Sequence, residues 1–189
     1  MVPSSKPSVL DTCVVLNLFA SGAFEEIVAA WHHPVAVSER ASRSEALYTL
    51  VPGLEPGQRK KVPLDLSQFV ASGAIMELSR ESDIELMTRI GLERIMDPGE
   101  AYVAALAIHR GHSVITDDRA ALRLLQLEQP ALPSFTTLDM IRHWSESHES
   151  QWVTPEGLRE VFRKMRQGAN FVPSRKLPHW DWWRDITGG

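Results

Sequence analysis

One cysteine, Cys13, stands in a chain of 189 residues. That excludes an intrachain disulfide and a cysteine-rich zinc site and accords with a reducing compartment. Cys13 itself reads as a small buried apolar residue rather than a nucleophile. No apolar run approaches the roughly 20 residues that a membrane helix requires, so no membrane partner is expected. The first residues, Met1-Val2-Pro3-Ser4-Ser5-Lys6-Pro7, lack the apolar segment and small-residue cleavage site of a secretory leader, which predicts a cytoplasmic protein. Neither a Gly-rich loop ending in Lys-Ser/Thr nor a Gly-x-Gly-x-x-Gly follows a strand-like segment, and this argues against P-loop and dinucleotide sites. A basic excess is missing as well. Twenty Lys and Arg against 24 Asp and Glu leave a net charge of −4. That sign argues against a nucleic-acid partner, unless several acids converge on divalent cations that reverse the local potential.

What is present is a globular balance of 43% hydrophobic and 23% charged residues, laid out as short apolar runs alternating with helical periodicity. Ser8-Val9-Leu10 reads as a strand ending on Asp11, followed by a helix carried by Val14, Val15, Leu16, Leu18 and Phe19 up to about Trp31. Val35 to Ser38 reads as a second strand, with Ser38 capping a helix that bears Glu45, Leu47 and Leu50. Prolines, glycines and the triplet Arg59-Lys60-Lys61 predict an exposed loop over 51–63, then a helix near 64–72 and a strand over 74–78. Ser82 or Asp83 caps a helix to about Ile95, and Asp97-Pro98-Gly99-Glu100 opens a buried helix that Gly111 stops. Residues 112–116 form a strand ending on Asp117 and Asp118, a helix follows through Leu125, and a last strand and helix occupy 134–144. Thr154-Pro155-Glu156 opens a helix to about Gln167 that Gly168 closes, ahead of a tail with Trp180, Trp182 and Trp183. The alternation predicts an α/β fold of three layers, α/β/α, around a central, mainly parallel sheet of four to five strands. Residues 8–147 form the main domain, and 148–189 add a C-terminal helix and a Trp-rich tail.

Ligands of open parallel sheets gather beyond the carboxyl ends of the strands. Asp11 ends the first strand and Asp117 a later one, so both project at one edge. Glu45 follows Ser38 by about two helical turns and so stays on the face that begins at the strand end; Glu39 in the same helix is its competitor. Glu100 sits where a helix N-terminus tolerates negative charge. Each has a bland alternative: Asp11, Asp117 and Asp118 as helix caps, Glu100 as a dipole partner, Glu45 as a solvated helix residue. Their joint placement favours a site, because converging carboxylates repel unless cations offset them, and all-oxygen ligation suits Mg²⁺ or Mn²⁺. The implied chemistry is metal-assisted phosphodiester hydrolysis.

Val9-Leu10-Asp11-Thr12, the stretch from Ser38 to Glu45, Gly99-Glu100-Ala101 with its Ala-rich helix, and Ile115-Thr116-Asp117-Asp118-Arg119 together resemble the successive motifs of PIN-domain nucleases. The resemblance spans Ser8 to about Trp144. It implies a PIN-like fold whose metal and catalytic acids are Asp11, Glu45, Glu100 and Asp117, with Asp118 as an adjacent helper. Thr12 and Thr116 resemble the hydroxyl residues that flank such sites. Many similar proteins are VapC-like toxins, so the resemblance implies an endoribonuclease acting on RNA, a cognate antitoxin and a homodimer. The 51–63 loop and everything after Ser150 depart from the compact toxin pattern.

Arg119 is a candidate for the scissile phosphate against a solvated surface role, and Arg59, Lys60 and Lys61 are candidates for RNA backbone against a solvated loop. His109 and His112 do not form a zinc motif with nearby acids. The three tryptophans are candidates for stacking on bases or burial in a partner, with packing against their own domain or a dimer mate preferred. Two other functions compete. One is a catalytically inactive PIN-like module that binds RNA or protein. The other is an aspartyl-phosphate phosphatase of the haloacid-dehalogenase type, disfavoured because Cys13 occupies the place of its second Asp.

Overall fold

The computed structural model describes residues 6–43, 47–52, 58–147 and 154–188. In chain order the elements are β1 (Ser8–Leu10), α1 (Thr12–Ser21), α2 (Phe24–Ala30), β2 (Val35–Ser38), α3 (Glu39–Arg43), β3 (Tyr48–Pro52), β4 (Arg59–Pro63), α4 (Ser67–Ala71) and β5 (Met76–Leu78). They continue as α5 (Asp83–Leu92), α6 (Pro98–Arg110), β6 (Ser113–Ile115), α7 (Arg119–Glu128), β7 (Ser134–Phe135), α8 (Thr137–Ser147), α9 (Pro155–Ala169) and α10 (Trp180–Thr187). Five strands form one sheet in the order β5-β2-β1-β6-β7, and every pairing is parallel.

Period-two alternation along these strands builds the layers. Leu10, Val35, Val37 and Ile115 point into one core with α1, α2, α8 and α9. Val9, Ala36, Leu78 and Val114 point into a second core with α6 and α7. The α/β architecture expected from the sequence is therefore present, with helices on both faces of a parallel sheet. Alanines 101, 104, 105 and 107 are all buried, and their small side chains let α6 lie close on the sheet. At the amino end of the sheet, Ser8 and Ser113 hydroxyls share a 2.7 Å hydrogen bond, and the Trp31 indole donates to Ser8 Oγ at 3.0 Å. Among the described residues no single helix is long and apolar enough to cross a membrane.

Several segments differ from the sequence expectation. The helix expected from Asp11 to Trp31 is two helices bent by 116°, because Gly22 adopts a left-handed conformation (φ 76°) that caps α1. The helix after Ser38 is short: Ser38 Oγ accepts from Ala41 N at 3.1 Å, but Leu47 and Leu50 do not continue it. Tyr48–Pro52 is instead a strand, paired antiparallel with Arg59–Pro63. Residues 51–52 and 59–63 of the stretch read as a loop are thus paired strand. The second strand is exposed along its whole length, so it carries no apolar alternation to betray it. Glu45 lies outside the described residues.

The segment after Ser150 was expected to be an addition, yet its helix belongs to the main core. Leu158, Val161, Phe162 and Met165 on α9 are buried in the same cluster as Val14 and Leu18 on α1. Gly168 does not end this helix; Asn170 does, at φ 56°. Gly168 is needed for packing, since a Cβ there would lie 2.9 Å from Ala20 Cβ and 3.5 Å from the Leu50 carbonyl. The tryptophan tail folds back as α10, with Trp182 edge-on to Phe162 at 5.7 Å. Gly168→Ala is expected to destabilise the protein by about 1–3 kcal/mol through overpacking; an unchanged urea midpoint would refute this close α1–α9 approach.

Candidate active site

β1 has β2 on one side and β6 on the other, so the chain winds in opposite directions from it, and the crevice beyond the carboxyl ends of β1 and β6 is the switch point of the sheet. Asp11 leaves β1 there, and Thr116-Asp117-Asp118 leaves β6. Pro98 and Gly99 start α6 so that Glu100 faces the same place. The result is an open cleft of about 570 Å³ lined by Asp11, Thr12, Cys13, Leu16, Arg40, Asp97, Gly99, Glu100, Asp117 and Asp118. Four of the five acids singled out in the sequence thus meet in one cleft.

Asp11 is buried and is both a cap and a site residue. Its Oδ1 accepts from Thr12 N at 2.7 Å, while its Oδ2 accepts from Thr116 Oγ1 at 2.9 Å and from Cys13 Sγ at 3.1 Å. The Thr116 hydroxyl also accepts from Asp118 N at 3.1 Å, so one buried hydroxyl holds the Asp11 carboxylate and the backbone at Asp118. Asp118 Oδ1 caps α7 by accepting from Ala121 N at 2.8 Å. Thr116 is buried and does not line the open cleft, in contrast to Thr12, which does.

Asp117 is held by the protein itself. Thr137 N donates to Oδ1 at 2.9 Å, and Oδ2 accepts from Asn17 Nδ2 at 2.7 Å and Thr137 Oγ1 at 2.5 Å. Burial nevertheless raises its pKa above the ordinary carboxylate value, against the lowering effect of these donors. The carboxylate ties α1 to α8 beneath the cleft floor. Sequence reasoning did not single out Asn17 or Thr137. Asn17 is a buried amide on an otherwise apolar helix face, and that was the available signal.

Glu100 carries the electrostatic cost of the cluster. Its pKa is pushed up to about 7, first by burial, then by Asp118 and Asp11. Met96, Val103, Val114, Ala121 and Leu125 wall an apolar recess behind it, which is why its charged form is poorly solvated. A single backbone donor, Asp97 N at 3.4 Å, gives little relief. Cys13 is likewise pushed up, by burial and by Asp11 and Asp117, so its thiol stays protonated and is not a nucleophile.

Arg40, from the first turn of α3, is the only basic residue lining this acidic cleft among the described residues. It was missed in the sequence because an arginine two residues past a strand reads as solvated surface. Glu39 is not among the lining residues and instead influences Arg43 and Tyr102. Arg119 is exposed and also lies outside the lining. His109 bonds Thr88 at 2.7 Å, away from the acids. Among the described residues no group of three or more His, Cys, Asp or Glu side chains is gathered tightly enough to enclose a metal ion.

The sign of the pH dependence follows from Glu100. Its folded value near 7 exceeds the ordinary 4.5, so its contribution to stability is intact below about pH 4.5 and is lost as pH rises through 7. In EDTA, Glu100→Gln is therefore expected to raise stability at pH 8, by about 1 kcal/mol after solvent screening, and to change little at pH 4. Equal effects on the urea midpoint at both pH values would refute the coupling.

No protein-family model, no curated protein and no solved structure matches this chain.

Proposed function

We propose that this chain is a divalent-metal-dependent endoribonuclease of PIN type, and that the carboxyl edge of β1 and β6 is its active site. The observation that carries the reading is the meeting of Asp11, Glu100 and Asp118 at one open cleft, with Glu100 pushed up to about 7 partly by the other two. A protein that keeps such mutually opposed carboxylates at its surface is arranged for a cationic ligand. The donor set fits Mg²⁺ or Mn²⁺, because the acids that line the cleft offer oxygen alone and no histidine lines it among the described residues.

Asp11, Glu100 and Asp118 line the cleft without enclosing an ion by themselves, so they would hold it together with water, with Asp117 and Glu45 added by the family resemblance. When bound, such an ion lowers the pKa of an attacking water and stabilises the leaving oxygen of a phosphodiester. The protein's own residues do the rest. Thr116 fixes the direction of the Asp11 carboxylate and accepts from the Asp118 backbone N–H. Asp117 is anchored in the floor by Asn17 and Thr137. Arg40, the only basic residue lining the cleft among the described residues, would hold the scissile phosphate against the acids. Arg59, Lys60 and Lys61 on the exposed strand β4 offer further backbone contacts. The resemblance extends this reading to a cytoplasmic toxin restrained by a cognate antitoxin.

Purified protein should cleave single-stranded or structured RNA with Mg²⁺ or Mn²⁺ and not with EDTA. Asp11→Asn should lower the rate at least about 100-fold while the far-UV circular dichroism is preserved. Full activity in that variant would reject the site, and RNA binding without turnover under any metal condition would move the assignment to a non-catalytic binding module. Arg40→Ala should leave Mn²⁺ affinity unchanged by calorimetry and lower kcat/KM about 10- to 100-fold, with partial recovery in Arg40→Lys. Unaltered kcat/KM in Arg40→Ala would remove Arg40 from the phosphate contact.

A further inference from the structure

The C-terminal segment builds a groove that the acidic cleft does not share. Between them α9 and α10 form a space of about 270 Å³ lined by Arg159, Phe162, Arg163, Arg166, Trp183 and Thr187, none of which lines the cleft. Spacing explains the lining. Arg159, Arg163 and Arg166 stand at i, i+4 and i+7 and so share one face of α9, while Trp183 and Thr187 stand at i and i+4 on α10. The walls are tied together by packing and by one hydrogen bond. Buried Phe162 meets Trp182 and Trp183 edge-on at 5.7 and 6.5 Å between ring centroids, and Arg159 Nε donates to the Ile186 carbonyl at 3.1 Å.

The groove sets aromatic surface beside positive charge. Trp183 is partly exposed, and its indole N–H is buried without an acceptor, so contacts rather than a hydrogen bond place the ring. Two of the three guanidiniums are partly answered by acids. Arg163 donates to both Glu160 oxygens at 2.6 and 2.5 Å and to Gln167 at 2.7 Å, and Arg159 reaches Glu156 at 3.4 Å. Arg166 is exposed and has no hydrogen-bond or ion-pair partner among the described residues. An unanswered guanidinium next to an indole suits an anion that carries a flat ring.

The positive charge extends beyond the groove. Arg163, Lys164, Arg166, Arg175 and Lys176 stand between Glu160 and Asp181 with no acid among them, in a chain whose net charge is −4. Asn170, one turn past Arg166, accepts from Arg59 of β4 at 2.5 Å, which brings the exposed strand Arg59–Pro63 up to the end of the same helix. A ligand with several negative charges and accessible flat rings answers both features, and single-stranded nucleic acid has both. An acidic peptide supplies the charges without the rings, and a duplex keeps its bases stacked inside.

We propose that the groove between α9 and α10 is a second RNA-binding site, in which Arg163 and Arg166 take backbone phosphate and Trp183 stacks on an unpaired base. That the strand is RNA rests on the nuclease reading; the groove itself lies beyond the residues that resemble PIN-domain nucleases.

Fluorescence anisotropy with a labelled unpaired RNA of about 12 nucleotides, in EDTA so that no cleavage intervenes, tests this on the full chain. The wild type should bind that RNA at least about tenfold more tightly than a duplex or a polyglutamate of the same length. Arg166→Glu should weaken binding at least about tenfold, and Arg166→Ala should reduce the slope of log affinity against log salt by about 0.7, as the loss of one single-strand phosphate contact requires. Trp183→Leu should weaken binding about tenfold, and Trp183→Phe should restore most of it. Arg166 is exposed, so its variants stay folded in thermal melts and decide the matter even if Trp183→Leu does not fold. Wild-type affinity in Arg166→Glu, equal binding of polyglutamate, or no RNA binding at all would each overturn the inference. Cleavage with Mn²⁺, measured separately, keeps the two readings apart. Arg166-dependent binding by a protein that never cleaves supports the groove and not the nuclease, whereas cleavage with unchanged affinity in Arg166→Glu rejects the groove alone.

Discussion

The repulsion among carboxylates at the carboxyl edge of β1 and β6 is the constraint around which the rest of this structure is arranged. Parallel strands bring their carboxyl ends to one edge, and with β1 between β2 and β6 the acids that end β1 and β6 have nowhere else to go. The protein answers with donors where it can. Thr12, Cys13 and Thr116 serve Asp11, and Asn17 and Thr137 serve Asp117. Each donated hydrogen bond to a carboxylate contributes about 1.5–3 kcal/mol against the cost of burying it. Glu100 is left with almost none of this help, and its pKa is displaced to about 7, first by burial and then by Asp118 and Asp11.

The division between satisfied and unsatisfied acids sorts structure from function within one cleft. Asp117 has both oxygens engaged and ties α1 to α8, so it behaves as a keystone that happens to face a site. Asp11 serves both ends, capping α1 while lining the cleft. Glu100 and Asp118 retain the capacity to take a further positive partner. A cluster held this way is costly in stability, and that cost supports the proposal that the cleft takes a cationic ligand.

Much of the scaffold was legible along the chain. Short apolar runs ending on Asp11 and Asp117, a helix cap at Ser82 or Asp83, Pro98 at a helix start and Gly111 at a helix end all report local physics, and the structure has these elements, with Ser82 as the cap. The misreadings share one cause. Gly22 breaks what looked like a single helix, the 59–63 strand has no buried face, and Gly168 lies within a helix rather than after it. In each case the decisive partner is distant in sequence or absent from the local pattern. Arg40 escaped notice for the same reason, because its neighbours across the cleft lie about 60 to 80 residues away.

By itself the sequence determined the alternation of strands and helices, the all-oxygen character of the candidate ligands and their positions at strand ends and helix starts, since these follow from propensity, capping and periodicity within a few residues. Only the tertiary structure decided which acid is satisfied and which is strained, that Thr116 holds both the Asp11 carboxylate and the backbone at Asp118, that α9 belongs to the main core and that α9 and α10 form a groove between them. Those properties depend on distances between residues far apart in the chain and on how much water each group keeps, and neither quantity is encoded in any local window.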